Sequence, residues 1–337
     1  MSASTKVIQA AAGAGGGGPS RIGDYIAVAH FDPPYFTLLD HTTLGSVSLA
    51  TTYNVGSNAY ATATSPDGSY IAVGYTNSPR FTLLDHTTRG SVSLAATYSF
   101  SGQGRGIAFS PDGDYIAVGT SGSPYFTLLD HTTLGSVSLA ATYTIASDGN
   151  GTAFSPDGNY IAIAHNNGPQ FTLLDHTTPG SVSLAATYTL VEAGEGVDFS
   201  FDGNYIAVGG SRGSPYFALL DHTTPGSVSL AATYTTPDDS PGVSFSPDGN
   251  YIAVAHSGGT GFTLLDHTTP GSLSLATTYT LSVAAARAAD FISDGSYIAV
   301  GHSGTPNFTL LDHTTPGAVS LAATYTATSS VFGVAFT

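Results

Sequence analysis

Four short apolar runs, separated by turn residues, fill residues 106–143. Gly106-Ile107-Ala108-Phe109 leads into Ser110-Pro111-Asp112-Gly113, where Pro presets the turn angle and Gly accepts positive φ. Tyr115-Ile116-Ala117-Val118-Gly119 is a second β-rich run, broken by the Gly/Ser/Pro segment Thr120 to Pro124. Phe126-Thr127-Leu128-Leu129-Asp130-His131 is the third, and Thr132 to Ser136 makes the next turn around Gly135. Val137 to Tyr143 is the fourth. Runs of this length with turn signals at such intervals predict four strands, termed a, b, c and d. Strands b and c are nearly continuous in apolar residues, as expected of strands covered on both faces. Strand d alternates Val137, Leu139, Ala141 and Tyr143 with Ser138, Ala140 and Thr142, which predicts a half-wet outer strand. Strand a holds small residues plus one Phe and suits a crowded centre, so the order a to d runs from axis to rim.

This unit recurs. Phe-Thr-Leu-Leu-Asp-His-Thr-Thr begins at Phe36, Phe81, Phe126, Phe171, Phe262 and Phe308, and a variant with Ala218 in place of Thr begins at Phe217. The spacings are 45, 45, 45, 46, 45 and 46 residues. Four short strands per roughly 40–45 residues are the signature of propeller blades. No single unit is large enough to bury a core, so all seven must stack into one body. The expected fold is therefore all-β: a seven-bladed β-propeller with four antiparallel strands per blade.

The first repeat lacks strand a and enters at Asp24-Tyr25-Ile26-Ala27-Val28. The chain ends on Val331-Phe332-Gly333-Val334-Ala335-Phe336, a strand a with no b after it. Each end supplies what the other lacks. The C-terminal strand is expected to pair with the N-terminal three and remove the open edges of the sheet.

The motif Ala-Phe-Ser-Pro-Asp-Gly-x-Tyr-Ile-Ala-Val at 108–118, repeated at 153–163 with Ile163 and nearly so at 244–254, resembles the WD40 and WD40-like propeller repeat. The resemblance covers about residues 22–337. It departs from the family where Leu39-Asp40 and its equivalents replace the Trp-Asp dipeptide, and where the Gly-His opening is missing. Near-identical blades with a Ser/Thr/Gly-rich texture are also similar to propellers of phage structural proteins.

Composition narrows the partners. Among 337 residues only 9% are charged, lysine occurs only at Lys6, and the formal net charge is -16. Without a basic stripe to neutralise phosphates, no nucleic-acid partner is expected, nor an anionic membrane surface. No stretch reaches the apolar length of a membrane span, and the N-terminus lacks the continuous apolar region of a signal peptide. Cysteine is absent, which excludes disulfides and thiolate metal sites. The acidity is mostly structural, because thirteen of the 23 acids belong to the repeat itself.

The blades differ from each other at one end. In an antiparallel blade the a–b and c–d turns lie together, and the b–c loops and d–a connections lie at the opposite end. The first pair barely changes between repeats. The second pair varies, as in Phe31-Asp32-Pro33-Pro34 against Asn166-Asn167-Gly168-Pro169. Both extra residues of the 46-residue intervals fall there, as do Arg80, Arg105, Arg212 and Arg287, four of the six arginines. Loops on a rigid scaffold are where binding resides, so a binding face is expected here. Its candidate residues are Tyr35, Arg80, Arg105, Tyr125, Arg212, Tyr216 and Arg287.

The seven Asp-His pairs, Asp40-His41, Asp85-His86, Asp130-His131, Asp175-His176, Asp221-His222, Asp266-His267 and Asp312-His313, resemble at first sight an acid orienting a base. Neighbours on a strand point to opposite faces, and seven copies round a ring cannot converge. The expected role is capping of strand c and its turn. His30, His165, His256 and His302 end strand b and are expected to support loops. One Asp per Asp-Gly turn supplies too few oxygens for Ca²⁺. Glu192, Glu195 and Asp198 form a better cation candidate, with a solvated loop as the plainer alternative. No nucleophile elbow, phosphate-cradling loop or facing carboxylate pair is evident, so neither catalysis, nor a metal, nor a cofactor is expected.

Residues 1–21 fall outside the repeat. Lys6, Val7 and Ile8 lie in a possible short strand, and Ala10 to Pro19 form a Gly/Ala hinge. The tail is expected to anchor the protein to other structural proteins of an assembly by adding a strand or threading a groove. The leading expectation is thus a non-enzymatic virion component, such as a phage tail, fibre or capsid-surface protein, displaying variable loops to a host-surface glycan or protein outside the cell. The alternative is an intracellular, cytoplasmic scaffold for protein partners. A propeller hydrolase is the third class considered.

Overall fold

The computed structural model describes residues 23–191, 193–282 and 285–337. Lys6, Val7 and Ile8, the expected tail anchor, and the loop acid Glu192 lie outside these residues. The described chain forms 28 strands in seven four-stranded antiparallel sheets, each in the order a-b-c-d. Blade 1 holds residues 25–54, blade 2 residues 59–99, blade 3 residues 104–144 and blade 4 residues 149–189. Blades 5, 6 and 7 hold residues 193–235, 242–280 and 286–325. The seven-bladed propeller expected from the repeat is the observed fold.

Ring closure follows the expected route. The last strand, Val331–Phe336, pairs with Tyr25–His30 in the register Ile26↔Phe336, Ala27↔Ala335 and Val28↔Val334, and so supplies strand a of blade 1. Seven inner strands surround an axial channel.

The Tyr-Ile-Ala-Val segment of strand b, Tyr-Ile-Ala-Ile in blade 4 with Tyr160 half-buried, is otherwise almost fully buried, as are the Phe and paired Leu of strand c. The core is not one mass but a series of inter-blade clusters. One joins Ala72, Phe81 and Leu83 of blade 2 to Ile116, Val118 and Leu129 of blade 3. Each blade thus completes its neighbour's core, which is why none is stable alone.

The outer strand departs from the alternation read in the sequence. The register with strand c shifts so that Leu128 faces Ala141 and Leu129 faces Leu139, leaving Ala140 as an extra residue. This bulge resets the side-chain phase. Leu139 and its counterparts Leu49, Leu94, Leu184, Leu230, Leu275 and Leu321 therefore point outward, Leu139 at 52% exposure.

At the constant end, the Asp-His pairs act as caps. Asp130 accepts hydrogen bonds from the backbone N and hydroxyl of Thr132, at 2.9 and 2.6 Å. The same hydrogen bonds hold that carboxyl below its ordinary pKa. His131 turns away from Asp130, and its Nδ1 donates to the carbonyl of Gly113 in the a–b turn at 2.8 Å. That imidazole also meets Tyr70 of the preceding blade edge-on, with ring centroids 4.9 Å apart. The contact repeats through Tyr25–His86, Tyr115–His176, Tyr160–His222, Tyr205–His267 and Tyr251–His313, and closes on itself through Tyr297–His41. Such aromatic pairs contribute roughly 0.5–1.5 kcal/mol each beyond buried area.

Candidate active site at the mouth of the channel

Six of the seven inner strands carry a β-bulge near their first residue, on the variable face. The skipped residue is Tyr60 between Ala59 and Ala61, Arg105 between Gly104 and Gly106, and Asn150 between Gly149 and Gly151. In blade 5 Glu195 and Gly196 together oppose Gly209. Arg287 and Phe332 are skipped in the last two strands. Blade 6 has Pro241 at this place, just before its regular strand. A bulge re-aims its extra side chain out of the ladder. The repeat therefore puts one non-identical side chain per blade at the same height around the axis.

These side chains meet across blades. Arg105 donates from Nη1 to Asn150 Oδ1 at 3.1 Å and pairs with Asp148 at 3.2 Å. Asn150 donates in turn to Asn166 Oδ1 and to the carbonyl of Gly194, both at 2.9 Å. Across the ring, the Arg287 guanidinium lies 5.6 Å from the centre of the Phe332 ring. Phe332 stacks on Phe31 at 3.9 Å, and Tyr60 meets both edge-on. One arc of the mouth is therefore charged and amide-rich, and the other is aromatic with a single cation.

Small neighbours make this geometry possible. A Cβ at Gly106 would come within 2.8 Å of the Asn150 carbonyl, so the inner strands pass too close for a side chain there. The pattern small-x-small at this position, as in Gly104-Arg105-Gly106 and Ala286-Arg287-Ala288, is the sequence signal that marks the ring. Sequence reasoning singled out Arg105 and Arg287 but not Tyr60, Asn150 or Phe332, and it placed Glu195 in a cation cluster.

Glu195 is the chemically distinct member. It accepts a 2.6 Å hydrogen bond from the Ser211 hydroxyl. Burial raises its pKa above the usual carboxylate value, against the lowering effects of that hydrogen bond and of the Arg105 and Arg212 guanidinium groups. Arg212 itself belongs to the b–c loop, where its backbone N donates to Asp239 at 2.8 Å.

Tyr35, Arg80, Tyr125 and Tyr216 occupy another equivalent position, the first residue of strand c, with φ between 63 and 75°. They are half-buried, and Tyr35 and Tyr125 lean on the inter-blade clusters. Arg80 donates to the Phe100 carbonyl at 2.8 Å. His30, His165 and His256 bridge a loop carbonyl and a strand-c threonine, as their loop-supporting role requires.

Three residues further along the inner strands, three consecutive blades depart from the alanine or threonine-flanked pattern of the rest. Asp198, Ser244 and Asp290 stand where Ala63, Ala108, Ala153 and Ala335 stand elsewhere. They line a channel segment of about 430 Å³. Asp198 accepts from the backbone N of Phe245 at 2.7 Å and Asp290 from that of Phe336 at 2.9 Å, so each carboxyl ties its blade to the next. Burial pushes Asp198 up to about 7, with a further rise from Asp290, and Asp290 up to about 6. Asp198 and Asp290, on inner strands two blades apart, thus line one stretch of the channel, which linear spacing does not reveal. The cation grouping of Glu195 with Asp198 is also divided, one at the mouth and one deeper. Among the described residues no three His, Asp or Glu side chains converge as a metal site.

No protein family's sequence profile matches the chain, and no curated protein matches it. Solved structures do. A candidate 6-phosphogluconolactonase from Bacteroides uniformis matches with a TM-score of 0.80 at 14% identity, over 93% of this chain and 100% of that one. The periplasmic gluconolactonase of Pseudomonas aeruginosa matches with a TM-score of 0.77 at 13% identity, over 92% and 98%. A protein of unknown function from Desulfotomaculum acetoxidans matches with a TM-score of 0.77 at 16% identity, over 93% and 98%. At these identities the likeness shows the fold. Nothing in these neighbours singles out WD40 or phage propellers. The expectation of a non-enzymatic virion component or scaffold is corrected here, because neighbours spanning nearly the whole chain bear the names of lactonases. The expectation against catalysis rested on contiguous motifs, whereas a propeller assembles its mouth from different blades.

Proposed function

We propose that the channel mouth is the active site of a hydrolase acting on a small, polyhydroxylated lactone. The observation that carries this reading is Glu195, a desolvated carboxyl with a raised pKa, set among two arginines at the entrance to the axis. A general base works best when its pKa approaches the operating pH. The names of the neighbouring structures supply the substrate class.

In this reading Glu195 takes a proton from a water molecule whose oxygen attacks the lactone carbonyl carbon. Arg105, fixed by Asp148 and Asn150, offsets the charge that develops on the carbonyl oxygen. The ring C–O bond then breaks, and the proton returns from Glu195 to the departing alkoxide, giving a hydroxy acid. The aromatic arc of Phe31, Tyr60 and Phe332 offers ring faces for the C–H surfaces of a sugar-like ring.

The test is acid release from glucono-1,5-lactone, followed in a pH-stat against the spontaneous rate. Turnover above that background, lost on Glu195→Gln, is the expected result. A wild-type rate equal to buffer alone, or a Glu195→Gln variant with full activity, overturns the reading.

A further inference from the structure

The residue five places after the strand-b Tyr and the threonine that follows the strand-c Phe form a buried polar pair in five blades. His30 Nε2 meets Thr37 Oγ1 at 3.0 Å, Tyr75 meets Thr82 at 2.9 Å, His165 meets Thr172 at 3.0 Å, His256 meets Thr263 at 3.1 Å and His302 meets Thr309 at 3.0 Å. Blade 3 keeps hydroxyls at both places, as Thr120 and Thr127. Blade 5 has lost both at once: the strand-b residue is Gly210 and the threonine is Ala218. Removing only one partner would strand a buried polar group at a cost of about 1–3 kcal/mol. Removing both leaves space without that penalty.

The space is present. A cavity of about 80 Å³ adjoins Gly210 and Ala218, and Tyr188, Leu190, Val208 and Phe217 are among the side chains that line it. It is half-open toward the variable face, with the 66%-exposed Val191 at its edge. A dry apolar cavity of roughly 150 Å³ is known to take a benzene ring. A cavity about half that size fits the end of a short aliphatic chain.

We propose that blade 5 carries a binding site for a small aliphatic group, three or four carbons long, which enters from the variable face and occupies the place vacated by the polar pair. The chemistry that recognises it is burial of methylene surface beside Ala218, with no polar partner required. The site stands apart from the lactonase reading, although Ser211, which follows Gly210, is the residue bonded to Glu195.

The probe is the series of primary alcohols from ethanol to hexanol, titrated into the full chain and followed by the ¹³C-methyl NMR signals of Ala218 and Val208. Affinity is expected to rise about fourfold per added CH₂ up to butanol, the factor for full methylene burial, and then to level. Ala218→Val fills the space and Ala218→Thr fills it and restores the hydroxyl that the other six blades carry. Both are expected to weaken butanol binding by about fivefold or more, while Thr172→Val in blade 4 leaves it unchanged. Affinity that does not depend on chain length, or that is the same in both Ala218 variants as in the wild type, overturns the proposal. Ala218→Val adds no polar group and so separates filling of the space from the cost of an unpaired hydroxyl opposite Gly210 in Ala218→Thr; an unchanged melting curve for Ala218→Val excludes loss of structure as the cause of its weakened binding.

Discussion

The two ends of the propeller are built from the same seven repeats and treat variation in opposite ways. At the constant end, each Ser-Pro-Asp-Gly turn is a closed hydrogen-bond unit. Ser110 donates to Asp112 and accepts from the backbone N of Tyr115, while Asp112 also accepts from the backbone N of Asp114. Every such group is tied to its own turn or to the Tyr–His belt, so a substitution there breaks several contacts. At the variable end, the bulge residues are free of the ladder, and the strand pairs on either side of them hold without their side chains. The lesson is that tolerance here is geometric. The bulge separates what a residue does for the fold from what it presents at the axis, and that separation lets six equivalent inner strands carry Tyr60, Arg105, Asn150, Glu195, Arg287 and Phe332.

Four experiments break or sharpen this contrast. The largest effect is expected where both ends depend on one element. Removing residues 331–337 deletes an inner strand of blade 1, its cross-strand register with Ile26 to His30 and its share of two inter-blade clusters. The thermal midpoint should fall by more than roughly 10 °C, given that 1 kcal/mol moves it by about 2–4 °C in proteins approaching this size. An unchanged melting curve would sink the closure account.

Glu195→Gln separates the ends most sharply. Lactone hydrolysis should fall by about 10²–10⁴-fold, the contribution of a general base, with the melting curve little changed. Asp112→Asn at the constant end should leave the rate as it was. Equal loss in both variants would show that the effect is structural.

Asp198→Asn tests the channel carboxyls. A carboxyl pushed up to about 7 is protonated in the fold at pH values where the unfolded chain has already lost the proton. The fold then binds more protons than the unfolded chain between about pH 4 and 7, so this group's contribution to stability falls as pH rises through that window and is gone above it. Asparagine stays neutral at every pH, but its NH2 group cannot accept as a carboxyl oxygen does from the backbone N of Phe199 or Phe245. The variant should be less stable than the wild type near pH 4, by about 1–3 kcal/mol, and gain on it by on the order of 4 kcal/mol as pH rises to 7. The buried histidines His30, His41, His165, His256 and His302, whose pKa values are lowered chiefly by burial, work in the other direction as pH falls, but equally in both proteins. A difference that does not change with pH, measured by urea unfolding at several pH values, would refute the shift.

The smallest of the four effects belongs to the belt. His131→Ala removes one edge-on contact to Tyr70 and leaves the Gly113 carbonyl without its donor, for about 1–2 kcal/mol. Because the other six links remain, the loss should be confined to the blade 2–3 boundary, which amide exchange at Gly113 and Tyr115 can localise. Global unfolding with exchange raised evenly around the ring would mean the belt acts as a unit.

Much of the molecule was legible in the chain. The blade count, the four-strand unit, the axis-to-rim order and the shared closing blade follow from repeat period, turn residues and mismatched termini, because each is a local pattern or an arithmetic of such patterns. The outer strand was read one phase wrong at Leu139, since an alternation of residues carries no mark of the bulge at Ala140. The capping role expected of the Asp-His pairs is what their hydrogen bonds show, as adjacency on a strand sends the two side chains to different turns. Loop variation pointed to Arg105 and Arg287, whereas spacing alone put Glu195 beside Asp198, three residues and one bulge further along the same inner strand.

The sequence by itself determined the ring, since seven copies of a sheet too small to stand alone have to bury their faces on one another. Tertiary structure alone decided which side chains share the axis. Tyr60 and Phe332 are 272 residues apart, and Arg105 and Glu195 sit two blades apart. They come together only because closure places equal positions of every blade at one radius, and because a bulge, invisible in composition, turns each of them off its ladder.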